Sequence, residues 1–483
     1  SVIAYHSLIT KVLATDGSKP DNLGFAVGAS RTLVAIGAPR DADFGRDAGS
    51  AYVREQNSGG NWRWGQVARL NATDPVADAR FGHAVSVTDR TIAVGAPMGK
   101  VNNRAQGAVY VYEPSSATAT DWQSRAVKIV AADGASLDEF GQAVSLNGTF
   151  LAVGARFDDD RGTDSGSVYI YRRPAARTWV LAAKITAPDG AAGDQFGYAV
   201  SLSGEWLTIG APLDDDNGRD SGSAYVFRRA NADGTSWTLV KRILPTLPSG
   251  ATDGAAGDFF GFSVAINNGN VIVGSPRDDD VGNDRGSAFV FSQNRGGANN
   301  WGRVAKLAPN QTLNVDQFGF SVSLDDDIAV VGMPFSGESN QSRWGSAWAY
   351  RRNDGGADAW GLFERLDPPD NTNNDEFGRS VAISCGTLAV GSRMDDTVAL
   401  NAGAAYIYDL AFAKAPRVAT PIPDQIAVER VAFSYSIPSA TFGDADVDDP
   451  LTLSVTLSGG GALPAWLAFT PSTGTLAGTP PAG

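Results

Sequence analysis

Four stretches of this chain carry aspartates at a spacing that suits a hard cation. They are Asp158-Asp-Asp-Arg-Gly162-Thr-Asp164, Asp214-Asp-Asp-Asn-Gly218-Arg-Asp220, Asp278-Asp-Asp-Val-Gly282-Asn-Asp284 and, more loosely, Asp41-Ala-Asp43-Phe-Gly45-Arg-Asp47. Calcium accepts about six to eight oxygen ligands in a forgiving geometry, and carboxylates alternating along a tight, glycine-bearing loop supply them. The candidate ligands are Asp41, Asp43 and Asp47; Asp158, Asp160 and Asp164; Asp214, Asp216 and Asp220; Asp278, Asp280 and Asp284. The spacing matches the opening of an EF-hand loop but lacks its late bidentate Glu. Turn chemistry alone is the competing reading, because Asp side chains bond nearby backbone and Gly supplies positive φ. Successive carboxylates repel unless something compensates them, so Ca2+ is the expected cofactor.

A second acidic element comprises Asp133 with Asp138, Asp189 with Asp194, Asp253 with Asp258, and Asp370 with Asp375. The later Asp of each pair stands two residues before a Phe-Gly pair, a position for a turn cap. Acid–base catalysis has few candidates. The chain holds two histidines, His6 and His83. That excludes a three-His metal centre, and neither a Gly-x-Ser-x-Gly elbow nor a His-Glu-x-x-His helix is present. Paired carboxylates could serve a glycosidase, but these recur equivalently along the chain, whereas an active site breaks a repeat. The expectation is no enzyme.

The elements that must hold these acids repeat. Phe-Gly pairs stand at Phe81, Phe140, Phe196, Phe260, Phe318 and Phe377, with a degenerate copy at Leu23-Gly24, and most are followed by a Gly-Ala-Pro-like triplet. A repeat of this length means units that bury their apolar faces only against each other. The unit around 187–241 reads as four short alternating strands separated by Gly/Asp/Asn turns. Seven such units predict an all-β fold, a seven-bladed β-propeller. Six copies end in a strand introduced by Trp64, Trp122, Trp179, Trp237, Trp301 or Trp360, and the seventh lacks one. The unclaimed N-terminal segment Leu8–Leu13 matches it, so the N-terminal strand is expected to close blade seven on Ala404–Tyr408. Strand alternation puts the triple-Asp turns and the between-blade turns on one face.

The Phe-Gly and Gly-Ala-Pro landmarks resemble the FG-GAP repeats of integrin alpha subunits and of many secreted bacterial proteins, over roughly residues 1–414. Integrin-type blades carry their calcium loop between the first two strands. Here that connection is short, as in Leu146-Asn-Gly-Thr149, so that site does not transfer. Residues 415–423 form a Pro-rich linker. Residues 424–483 resemble an immunoglobulin-like or dystroglycan-type cadherin-like domain, on Ile-Pro-Asp-Gln, Leu-Pro-x-Trp-Leu and Thr-Gly-Thr-x-x-Gly-Thr-Pro, and read as an incomplete β-sandwich with Trp466 in its core. Asp444, Asp446 and Asp448 match that family's calcium element. The expectation is that more chain follows Gly483, the alternative being a missing strand supplied by another molecule.

A net charge of −14 argues against nucleic acid, and no apolar run is long enough to span a bilayer. Cys385 is the sole cysteine, so it forms no intrachain disulfide and is expected to be a buried, inert thiol. Together these features predict a calcium-supported, non-enzymatic adhesion or interaction module, extracellular or on the cell surface of a bacterium. Its partner would be a protein or glycan of the cell surface or matrix, with self-assembly possible. The alternatives are a surface-layer or filament subunit, and a carbohydrate-active enzyme or its accessory domain. Exposed aromatics in the divergent blades, such as Phe335, Trp344 and Trp348, would favour a glycan or protein site.

Overall fold

The computed structural model describes residues 7–14, 20–60, 63–116, 118–245, 254–280, 283–309, 315–339, 342–370, 372–410, 417–418, 425, 427–438, 441–443, 455, 463–471 and 473–482. The chain divides into two compact units at Leu410.

The first unit is a seven-bladed β-propeller of seven four-stranded antiparallel sheets. Blade three shows the plan, with strands Ala143–Asn147, Phe150–Ala155, Ser167–Ala175 and Thr178–Ile185 in sheet order. First strands of neighbouring blades touch in sequence around the ring, and the first strand of blade seven, Phe377–Ser384, reaches that of blade one, Ala26–Ala29. The second strands are wholly buried in every blade.

Blade seven takes its fourth strand from the N-terminus. Ser7–Leu13 pairs with Ala404–Asp409, from Ser7 opposite Asp409 to Leu13 opposite Ala404. The register skips a residue between Leu8 and Thr10, and the same bulge interrupts the third-to-fourth strand pairing of blades one, three, four, five and six. A bulge shared at one register position marks Ser7–Leu13 as a true fourth strand.

The landmark residues are seam chemistry. The backbone N–H of each landmark Phe, and of Leu23, donates across the seam to the preceding blade: Phe81 to Ala48, Phe196 to Ser165, Phe377 to Trp344, Leu23 to Ala402, at 2.9–3.0 Å. Each Phe ring then meets its own blade's third strand edge-on, as Phe140 does Tyr169 at 5.3 Å and Tyr171 at 6.1 Å. Such aromatic pairs add to the burial itself.

Cys385 is exposed, contrary to expectation, because it occupies a left-handed turn position at φ 49° between the first two strands of blade seven, where Asp325 of blade six engages its backbone N–H.

The second unit contains a three-stranded sheet in the order Phe433–Ser436, Thr475–Gly478, Leu467–Thr470. Arg417–Val418, within the expected linker, pairs with Phe442–Gly443. Trp466 is half-buried. Asp444, Asp446 and Asp448 lie outside the described residues, as does His6.

Candidate functional site on the acidic face

Six fourth strands place a cation one residue before their last apolar residue, blade seven places Lys11 directly before Val12, and every third strand places an aromatic ring directly opposite. The pairs are Tyr52/Arg69, Tyr110/Lys128, Tyr169/Lys184, Tyr225/Arg242, Phe289/Lys306, Trp348/Arg365 and Tyr406/Lys11. The charge lies over the ring in all seven, 4.9–5.7 Å from its centroid. Strand pairing thus delivers a positive charge to the end of the blade where the acidic turns emerge.

In blade three Lys184 Nζ lies 2.9 Å from Asp133, 3.0 Å from Asp158 and 2.7 Å from Asp160. Asp158 is buried. Its Oδ1 accepts from Ser167 Oγ at 2.9 Å and from the Asp160 N–H at 3.2 Å, while its Oδ2 faces Tyr169 Oη at 2.8 Å and Lys184. A carboxylate has about four lone-pair sites, and all are taken. Tyr169 Oη also lies 2.9 Å from Asp133, sharing its proton between the two acids. Burial lowers the Lys184 pKa, but hydrogen bonds to Asp133, Asp160 and Asp158 outweigh it and hold the ammonium above its ordinary value. Burial raises Asp133, and the bonds from Lys184 and Tyr169 bring it below the usual carboxylate range.

The arrangement recurs. Arg242 reaches Asp189, Asp214 and Asp216 at 3.1, 2.7 and 2.5 Å. Lys306 reaches Asp278 and Asp280 at 2.8 and 2.5 Å, Arg69 reaches Asp41 and Asp43 at 2.6 and 2.7 Å, and Lys11 pairs with Asp370 and, at 2.6 Å, with Asp395. Blades two and six lack the triple-Asp turn. There Lys128 keeps the between-blade acid Asp74 at 2.7 Å and donates to the Lys100 carbonyl of the replacing turn at 3.2 Å, whereas Arg365 turns to Asp367 at 2.9 Å.

The first two aspartates of each expected ligand set therefore converge, and the last does not join them. Asp47, Asp164, Asp220 and Asp284 take left-handed φ of 47–57°, and their carbonyls accept from the next blade: Asp47 from Arg80, Asp164 from Gln195, Asp220 from Phe259, Asp284 from Gln317. Their place is the seam. As arranged, the residues do not fit a calcium ion: the carboxylate oxygens that would ligate it close on a Lys or Arg of the same blade. The sequence reading missed these cations. The signal was present in Lys184, Arg242 and Lys306, each directly before a closing Ile or Leu.

The aspartates two residues before Phe-Gly are buried, and three accept from the backbone N–H three residues earlier: Asp138 from Ala135, Asp194 from Ala191, Asp258 from Ala255. Burial, opposed by that bond and reinforced by neighbouring aspartates, pushes Asp194 up to about 6 and Asp258 to about 7.

The residues following Phe-Gly crowd the hub. Phe25 meets His83 at 4.8 Å, Tyr198 meets Phe262 and Phe262 meets Phe320 each at 4.9 Å, and Arg379 lies 4.3 Å from the Phe320 ring. Burial first, then the charges of Arg156, Arg80 and Arg379, lowers His83 to about 3, so it is neutral at physiological pH.

Two hairpins replace the triple-Asp turn, Lys100–Val101 with Arg104–Ala105 in blade two and Gly337–Ser339 with Ser342–Arg343 in blade six. Trp348 is core at 2 % exposure, and Trp344 and Phe335 are half-buried. The exposed apolar side chains on these turns are instead Phe44 in blade one and Val398 and Leu400 in blade seven, which are ring neighbours. Among the described residues no helix is long and apolar enough to cross a membrane.

A family model described as FG-GAP repeat matches residues 7–54, 64–112, 123–171, 179–227, 250–291, 301–350 and 360–408, and one described as Putative Ig domain matches 415–483. The first match runs from the latch strand through three strands of blade one, so the sequence unit is offset from the blade by one strand. No curated protein matches the chain. Domains of these two kinds generally mediate protein interactions and are typically extracellular.

Proposed function

The chain belongs to the FG-GAP repeat family, and from that premise we propose that it is a non-enzymatic interaction module of a secreted or surface-attached bacterial protein, binding a protein partner through the acidic face. One observation carries the reading: the blades depart from their common plan at the turns of that face. Blades two and six carry hairpins there, and blades one and seven carry the exposed Phe44, Val398 and Leu400. A face that varies on a constant frame is suited to selecting a partner. Burial of Trp348 favours protein over glycan, since a sugar platform needs an accessible ring.

The non-enzymatic part rests on engagement of the candidate acids and bases. Lys, Arg and Tyr donors hold the clustered carboxylates in most blades, and the neutral His83 packs in the hub. Binding to arrayed matrix proteins and glycans tests the proposal, using the full chain and a variant in which residues 99–106 are replaced by the turn 158–165. Saturable binding to a protein, weakened about tenfold or more by the replacement, is expected. Turnover of an arrayed glycan, or binding indifferent to the replacement, refutes it.

A further inference from the structure

We propose that the fourth-strand Lys or Arg is the resident cation of each acidic turn, doing within the chain what a divalent ion does in other loops of this composition. Three carboxylates drawn together at a half-buried turn repel, and the cluster forms only with a compensating positive charge inside it. In blade three that charge is Lys184, within 3.0 Å of Asp133, Asp158 and Asp160, and in blade four it is Arg242, within 3.1 Å of Asp189, Asp214 and Asp216.

The contrast with blade six supports the assignment. Where the turn keeps its aspartates, in blades one, three, four, five and seven, the cation points into it. Where blade six has Ser336 instead, Ser336 Oγ bonds Ser346 Oγ at 2.7 Å, Trp348 Nε1 donates to Ser346 at 2.9 Å, and Arg365 turns away to Asp367. The ring opposite the cation follows the same logic. A Tyr there adds its hydroxyl to the acids, as at Tyr225 and Tyr406, whereas Phe289 leaves Lys306 to neutralise Asp278 and Asp280. A covalently tethered cation is present at any external ion concentration, so the propeller holds its shape without metal.

The experiment compares the intact chain with Lys184→Met, which keeps much of the apolar stem and removes the charge, and with Lys184→Arg. Thermal unfolding is followed in chelator and in millimolar calcium, with calcium binding measured by calorimetry. The wild-type propeller should unfold at the same temperature in both conditions, and a chain with Asp444, Asp446 and Asp448 replaced by Asn should show no saturable calcium uptake. Lys184→Met should lose about 5 °C or more in chelator, and Lys184→Arg should keep most of the wild-type midpoint. A wild-type midpoint that falls by several degrees in chelator overturns the proposal, as does stoichiometric calcium binding at the turns. A Lys184→Met chain as stable as wild type in chelator overturns it equally, because the ammonium would then compensate nothing.

Discussion

The carbonyl oxygen of Gly319 lies 2.0 Å from the position a Cβ on Gly274 would occupy. The two residues belong to neighbouring blades, Gly274 to the second strand of blade five and Gly319 to the Phe-Gly pair of blade six. Gly391 meets Gly24 at the same distance across the closing seam. The Gly of the second-strand landmark is thus required because the next blade's backbone occupies the space of a side chain. Gly274→Ala is expected to cost about 1–3 kcal/mol by overpacking. Gly148→Asn serves as the control, since Gly148 has nothing near its Cβ position and a φ of 55° that Asn tolerates. Urea unfolding at constant m checks both, and a Gly274→Ala midpoint equal to wild type would discard this account of the motif.

Removal of residues 1–14 strips blade seven of its fourth strand and uncovers the edge at Ala404–Asp409. Val12, 2 % exposed, leaves the core with it. The thermal midpoint should fall by about 10 °C or more, and a synthetic peptide of residues 6–14 should raise it again in proportion to its concentration. A truncated chain with the midpoint of the whole would contradict the closure.

Tyr169→Phe tests the hydroxyl in the acid cluster. It removes the donor that Asp133 and Asp158 share, and a hydrogen bond to a charged group contributes about 1.5–3 kcal/mol. Phe289→Tyr in blade five should not destabilise, because the same ring position there faces Lys306 and Asp278. Denaturant curves for the two variants check the pair, and equal effects at both positions would sever the hydroxyl from the cluster.

Asp258 should make stability depend on pH. Its folded pKa of about 7 stands above the ordinary 3.8, chiefly through burial. Folding therefore takes up a proton between those values, and Asp258 favours the folded state progressively less as pH rises through that window. His83, lowered to about 3 from 6.5, acts in the opposite sense, its contribution being lost as pH falls below the unfolded value. Asp258→Asn isolates the carboxyl. The variant should gain on wild type as pH rises from about 5 to about 8, because only the wild type acquires a buried charge. A difference in midpoint that stays constant across that range would show that Asp258 does not titrate there.

The propeller was legible because its determinants are local and repeated. Phe-Gly and Gly-Ala-Pro mark seam positions where only a small residue or a flat ring fits, and each recurs with the blade. The latch was legible for the same reason, since Lys11-Val12-Leu13 carries the fourth-strand pattern at the wrong end of the chain. The acids were equally visible, and their partners were not. Lys184 follows Asp158 by 26 residues, and a Lys on an outer strand reads as solvated until strand register places it opposite Tyr169. The exposed Cys385 and buried Trp348 misled in the same way, because accessibility in a ring depends on the neighbouring blade rather than on residue type.

The pairing of Ser7–Leu13 with Ala404–Asp409 also fixes an order of events. Of the propeller's strands, the one made first is the last to find its sheet, so a nascent chain carries an unclosed arc with a raw strand at each end until residue 409 is available. Through that interval the two ends must avoid strands of other molecules, and the wheel becomes a single cooperative object only when its own beginning returns to its end.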